Sequence, residues 1–121
     1  MAVYRRIETT NFGGTAGEVT LVKFIDRKII DASAIQELGE ELFALVETQG
    51  LSRLILNFAA VEFLSSAALN KLIMLEKKVK AARGKLRLCN LRKEIYEVFA
   101  ITRLNVLFDI KPTENEALAG F

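Results

Sequence analysis

Two adjacent hydroxyls, Ser65 and Ser66, stand where an apolar segment gives way to a long amphipathic one, in the run Phe63-Leu64-Ser65-Ser66-Ala67-Ala68-Leu69. A serine at such a junction has two uses. Its oxygen can accept a hydrogen bond from a free amide of the first helical turn, which is capping and nothing more. Alternatively it can take a phosphoryl group, adding about −1.5 to −2 charges at a helix N-terminus that tolerates anions, so that the fold survives while a docked partner is expelled.

Other chemistries find little support. The 121 residues include no histidine, which removes the commonest general base near neutral pH and the commonest zinc ligand. Cys89 is the only cysteine and lies in an alternating apolar segment, so it reads as an inert core thiol. Gly13-Gly14-Thr15-Ala16-Gly17 opens a strand pattern, whereas a phosphate-cradling loop would open a helix. Asp26, Asp31, Glu62 and Glu94 read as solvated carboxylates. The basic run Lys71, Lys77, Lys78, Lys80, Arg83, Lys85 and Arg87 reads first as a solvated face that also suits a helix C-terminus, and second as an attractor of an acidic partner or a membrane surface. No enzyme activity, cofactor or metal is expected.

A formal charge of +2 is far from the basic footprint of nucleic-acid binding. No apolar run approaches the roughly 20 residues needed to cross a bilayer. With one cysteine and no leader-like segment, a cytoplasmic protein is expected, acting through a protein partner as a monomer or weak dimer.

The positioning elements follow from periodicity. Val3–Glu8 and Glu18–Ile25 alternate as strands, joined by a hairpin through Asn11–Gly17. Asp31–Thr48 has helical spacing, with Asp31 or Ser33 as cap, Ser33 and Gln36 at the spacing of a reciprocal cap at the helix entrance, and Gly50 as stop. Leu54–Ala59 is a central strand that should turn directly into a helix over Ser65–Arg83, placing that turn at a sheet edge. Leu69, Leu72, Ile73, Val79 and Ala82 form the inner face of this helix, with Glu76 elsewhere. Gly84 ends it, and Lys85–Asn90 is the next strand, with Leu86 and Leu88 opposite Cys89. A helix over Arg92–Ile101, a strand at Val106–Phe108 and a last helix entered through the Thr113–Glu116 capping box complete the chain. The expectation is one α/β domain over residues 1–121, with a mixed sheet of about five strands and about four helices.

This order of elements, with Leu54-Ile55-Leu56-Asn57-Phe58, the serine run and Gly84-Lys85-Leu86, resembles the STAS domain of anti-sigma factor antagonists along nearly the whole chain. In that family an Asp-Ser-Ser-Gly-Leu type motif follows the third strand, and its first serine is phosphorylated by a kinase that is also the anti-sigma factor. Ser66 occupies that serine; Ser65 stands for the aspartate, Ala67 for the second serine, Ala68 for the glycine, and Asn70 for the next small position. Asp31 resembles an acidic position at a neighbouring turn. The resemblance implies binding of a serine kinase/anti-sigma factor through Asp31, Glu62, Leu64, Ser65, Ser66, Ala67, Ala68 and Asn70, released by phosphate on Ser66, with Ser65 the alternative acceptor and Thr102 or Thr113 as independent ones. It equally implies a second role: a constitutive accessory subunit of a lipid-transporting ATPase, or a sensory or ligand-binding module.

Overall fold

The computed structural model describes residues 4–14, 17–119 and 121. Its main sheet begins with a hairpin. Strand β1 (Ile7–Gly14) pairs antiparallel with β2 (Gly17–Phe24) in unbroken register, from Ile7 opposite Phe24 to Gly14 opposite Gly17. The expected strand at Val3–Glu8 therefore starts later and runs further. The alternation of Thr10, Phe12 and Gly14 carries β1 into the segment read as a loop. Val3, Thr15 and Ala16 lie outside the described residues.

Three parallel strands follow: β4 (Arg53–Asn57), β6 (Lys85–Cys89) and β7 (Asp109–Lys111), giving the order β1-β2-β4-β6-β7. Central β4 is buried from Leu54 to Asn57, as a strand covered on both faces must be. Its covers are unequal. Helices α1 (Ala32–Glu47) and α2 (Ser66–Ala81) pack side by side on one face, over Val22, Leu54, Leu56, Leu86 and Leu88. The other face carries Val19, Leu21, Ile55 and Cys89, closed by Ala117 of the short α5 (Glu114–Leu118) and by Phe121. Leu86 and Leu88 thus oppose Cys89, as their alternation predicts.

Between β6 and β7 run α3 (Lys93–Ile101) and α4 (Leu104–Leu107). The strand expected at Val106–Phe108 is absent: Arg103 turns into the left-handed region at φ 61°, a helical turn follows, and pairing with β6 begins only at Asp109. The five helices therefore exceed the expected four by this one turn. An edge chain of Phe24, Phe58, Phe99 and Phe108, with successive ring centroids 4.7, 6.2 and 5.6 Å apart, ties this end of the molecule together.

Two details of α2 differ from the periodicity reading. Glu76 is buried, because it lies four residues after Leu72 and three before Val79 on the inward stripe, whereas Ala82 is exposed beyond the helix end. Gly84 does not supply the left-handed residue at that end; Arg83 does, at φ 59°. Glycine is needed at 84 because the chain passes against Ser52, whose carbonyl oxygen would lie 1.9 Å from an added Cβ.

Candidate functional site

The junction before α2 is more elaborate than a strand running straight into a helix. After β4 the chain turns through Phe58–Glu62, then forms β5 (Phe63–Leu64), which pairs in parallel with β3 (Lys28–Ile29), so the turn rests on a separate two-stranded ribbon and not on the main sheet edge. The Ser65 amide donates to the Ile29 carbonyl at 3.0 Å, and the Glu62 amide to the Arg27 carbonyl at 2.7 Å. Across the ribbon Arg27 and Glu62 form an ion pair at 2.9 Å. Because both strands lead into helices, the ribbon sets the N-termini of α1 and α2 beside each other.

Each N-terminus has its own cap. Asp31 accepts from the Ala34 amide at 3.0 Å and from the Ser33 hydroxyl at 2.6 Å. Ser33 is therefore committed to Asp31, and the expected pairing with Gln36 does not form; Gln36 instead donates to Glu40. The hydroxyl and amide donors hold the exposed Asp31 carboxyl below the ordinary carboxylate range. At α2 the cap is Ser65, with φ −78° and ψ 163°, whose oxygen accepts from the Ala68 amide at 3.2 Å.

Ser66 is the first residue inside the helix, and it is exposed. Its own amide and that of Ala67 precede the first intrahelical bond, which runs from Leu69 to the Ser65 carbonyl, so the end of the helix adds partial positive charge around the Ser66 hydroxyl. The two serines are thus unlike: one oxygen is tied into the fold, the other faces solvent.

Of the remaining candidates, Asp31, Ala67 and Asn70 are exposed, and Glu62 and Leu64 are half-buried near the serines. Ala68 is a correction: it is fully buried in the core beneath the cap and has no surface to offer a partner. Thr102 and Thr113 lie elsewhere, the first donating to the Val98 carbonyl at 2.7 Å, the second capping α5 by accepting from the Glu116 amide at 3.2 Å.

Pattern reading named Leu64 of β5 but missed Phe63 beside it and the residues in and around β3. Phe63 of β5 is 55% exposed and Ile30, the residue after β3, 58%, so two apolar side chains face solvent near Ser66. The Lys28 ammonium lies 5.5 Å from the Phe63 ring centroid. Beside it a groove of about 330 Å³ opens between β5 and α3, with Leu64, Ile95 and Val98 along it and Glu62, Arg92 and Glu94 bringing charge. Cys89, by contrast, is as expected: buried, with burial and then the nearby Glu114 charge pushing its thiol up to about 12.

The arrangement is thus a five-stranded mixed sheet with paired helices on one face and a serine turn entering the second of them. The chain matches the STAS domain model over residues 15–117 and belongs to that family. It is 28% identical over 93 residues to a Bordetella bronchiseptica protein, BtrV, named as a candidate anti-sigma factor antagonist, covering 77% of this chain and 79% of that one. A Planctomyces limnophilus anti-sigma-factor antagonist (STAS) domain protein superposes with a TM-score of 0.78 at 21% identity, covering 97% of both chains. The Bacillus cell fate determinant SpoIIAA, solved in its phosphorylated form, gives 0.64 at 18% identity over 91% of this chain and 96% of that one.

Proposed function

We propose that this chain is an anti-sigma factor antagonist: unmodified, it docks a serine kinase/anti-sigma factor on the surface around Asp31, Glu62, Leu64, Ser65, Ser66, Ala67 and Asn70, and phosphate on Ser66 releases that partner. It works in the cytoplasm as a single domain, by binding and not by catalysis, and changes transcription indirectly. The observation that carries the choice of Ser66 is the division of labour at the turn, where Ser65 is the cap and Ser66 is the exposed first helical residue. A dianion at Ser66 would lie among free amides, so it costs the fold little, while Asp31 at the neighbouring N-terminus and the apolar Phe63 and Ile30 make the same surface hostile to a partner once charged. The similarity to proteins named as antagonists supports this reading.

The experiment is capture from the native cytoplasm with wild type, Ser66→Ala and Ser66→Asp, with intact mass and site mapping of the recovered protein. Retention of a kinase-type ATPase by wild type and Ser66→Ala, its loss from Ser66→Asp, and phosphate at Ser66 are expected. Equal capture by all three, with no phosphate, would replace the switch with a constitutive accessory subunit.

A further inference from the structure

We propose that β1 is a dimerisation edge: two copies of this chain pair antiparallel through their β1 strands, about a two-fold axis at Thr10. The proposal is independent of the phosphorylation reading.

The argument begins with which backbone groups of β1 are already used. The Ile25 amide donates to the Arg6 carbonyl at 3.0 Å, which puts Arg6 opposite Ile25 at a bonded position of the ladder, although the Arg6 amide itself donates to Glu41. In an antiparallel ladder such pairs alternate with non-bonded ones. The recorded register then makes Glu8–Lys23, Thr10–Leu21 and Phe12–Val19 bonded pairs. The intervening residues Ile7, Thr9, Asn11 and Gly13 direct their amides and carbonyls away from β2. Among the described residues no other strand pairs with β1, which ends the sheet order.

Sheet edges are normally protected by shortness, proline, a bulge or lysine. The opposite edge, β7, is three residues long and carries Asp109 and Lys111. Apart from the single charge of Glu8, β1 has none of these devices: it is eight residues long, its register has no bulge, and its sequence Ile-Glu-Thr-Thr-Asn-Phe-Gly-Gly contains neither proline nor lysine. Its β-branched and aromatic residues favour pairing.

A second copy fits this edge by symmetry. The outward-facing run Ile7–Gly13 has Thr10 at its centre. A two-fold axis there places Thr9 opposite Asn11 and Ile7 opposite Gly13 of the other copy, so every outward amide and carbonyl in the run finds a partner. Residues of equal parity face each other, so side chains stay on matching faces. Charge also suits it. Glu8, the one charged residue of β1, meets Phe12 of the second copy, lies about 14 Å along the strands from the second Glu8, and is opposed within its own chain by Lys23. Thr10 meets Thr10 as a non-bonded pair, the close kind in which two cysteines can be bridged.

The test uses the full chain. Sedimentation equilibrium of wild type should show a dimer that strengthens with concentration. Thr10→Lys sets two like charges face to face and should weaken it about fivefold or more, and an equimolar mixture with Thr10→Glu should restore it. Thr9→Pro removes an outward amide in each copy without touching the bonds to β2, and should weaken the dimer about tenfold or more. Under mild oxidation Thr10→Cys should form a disulfide-linked dimer and Thr9→Cys should not; buried Cys89 stays silent. A monomer at every concentration up to about 1 mM, a dimer indifferent to Thr10→Lys, or cross-linking at Thr9→Cys in preference to Thr10→Cys would each overturn the proposal.

Discussion

Replacing Ser65 by alanine should destabilise the fold, whereas replacing Ser66 should not. Ser65 Oγ accepts the Ala68 amide at 3.2 Å, and Ala68 is fully buried. Loss of a serine cap typically costs about 1 kcal/mol, within about 0.5–2. Water has poor access to an amide beneath a buried alanine, which places this site in the upper half, at about 1–2 kcal/mol. The ratio of folded to unfolded protein then falls about 5- to 30-fold. With a urea m-value of about 2 kcal/mol/M, the midpoint should drop by about 0.5–1 M at unchanged slope. Ser66 makes no cap bond and faces solvent, so Ser66→Ala should stay within about 0.5 kcal/mol of wild type. Ser66→Asp should gain about 0.3–1 kcal/mol from the helix N-terminus. Urea melts of the three variants, followed by far-UV circular dichroism, decide it. Equal losses for Ser65→Ala and Ser66→Ala would refute the assignment of cap and free hydroxyl to different serines.

Three further outcomes follow from other parts of the structure. Burial raises the Glu76 carboxyl pKa, Lys80 opposing and Asp109 adding to the shift, so its ionised form disfavours folding at neutral pH and that cost fades as pH falls through the raised value. Glu76→Gln should therefore melt higher than wild type at pH 7, with the gap narrowing in acid; a gap that widens in acid would contradict the sign. Gly84→Ala should lose about 1–3 kcal/mol in a denaturant melt, because its Cβ would be forced onto the Ser52 carbonyl; near-neutrality would mean that the two segments part easily. Cys89 should react with a thiol reagent only as fast as the protein opens, and labelling of native protein at the free-thiol rate would show that α5 leaves it uncovered.

The elements with strong periodicity were legible in advance. Leu54–Asn57 and Lys85–Cys89 are strands because their apolar content and alternation permit little else, and α2 follows from its stripe of leucines. Elements decided by pairing were not. β3 and β5 are two residues each, too short to show a period, and exist because they bond to each other. Val106-Leu107 has strand-like composition, yet Arg103 redirects the chain and Val106 is left 83% exposed. At the site, the residue types pointed to the serine turn, but local pattern left its two hydroxyls equivalent. The family resemblance chose Ser66, and the dihedral angles at Ser65 and the reach of its oxygen to Ala68 give the physical difference between them. Ala68 lay in the motif by alignment and in the core by geometry.

The ribbon of β3 and β5 also bears on timing. With the Ser65 amide fastened to Ile29 and Glu62 to Arg27, the backbone leading into α2 is pinned at two points along β3. On the proposed switch, a phosphate on Ser66 changes the surface of a turn already fastened by these bonds, so no helix shift or loop refolding is expected to precede the change. Its response time is then set by the encounter and departure of whatever reads the turn, and the trace after a rapid change in modification should be a single exponential without a lag.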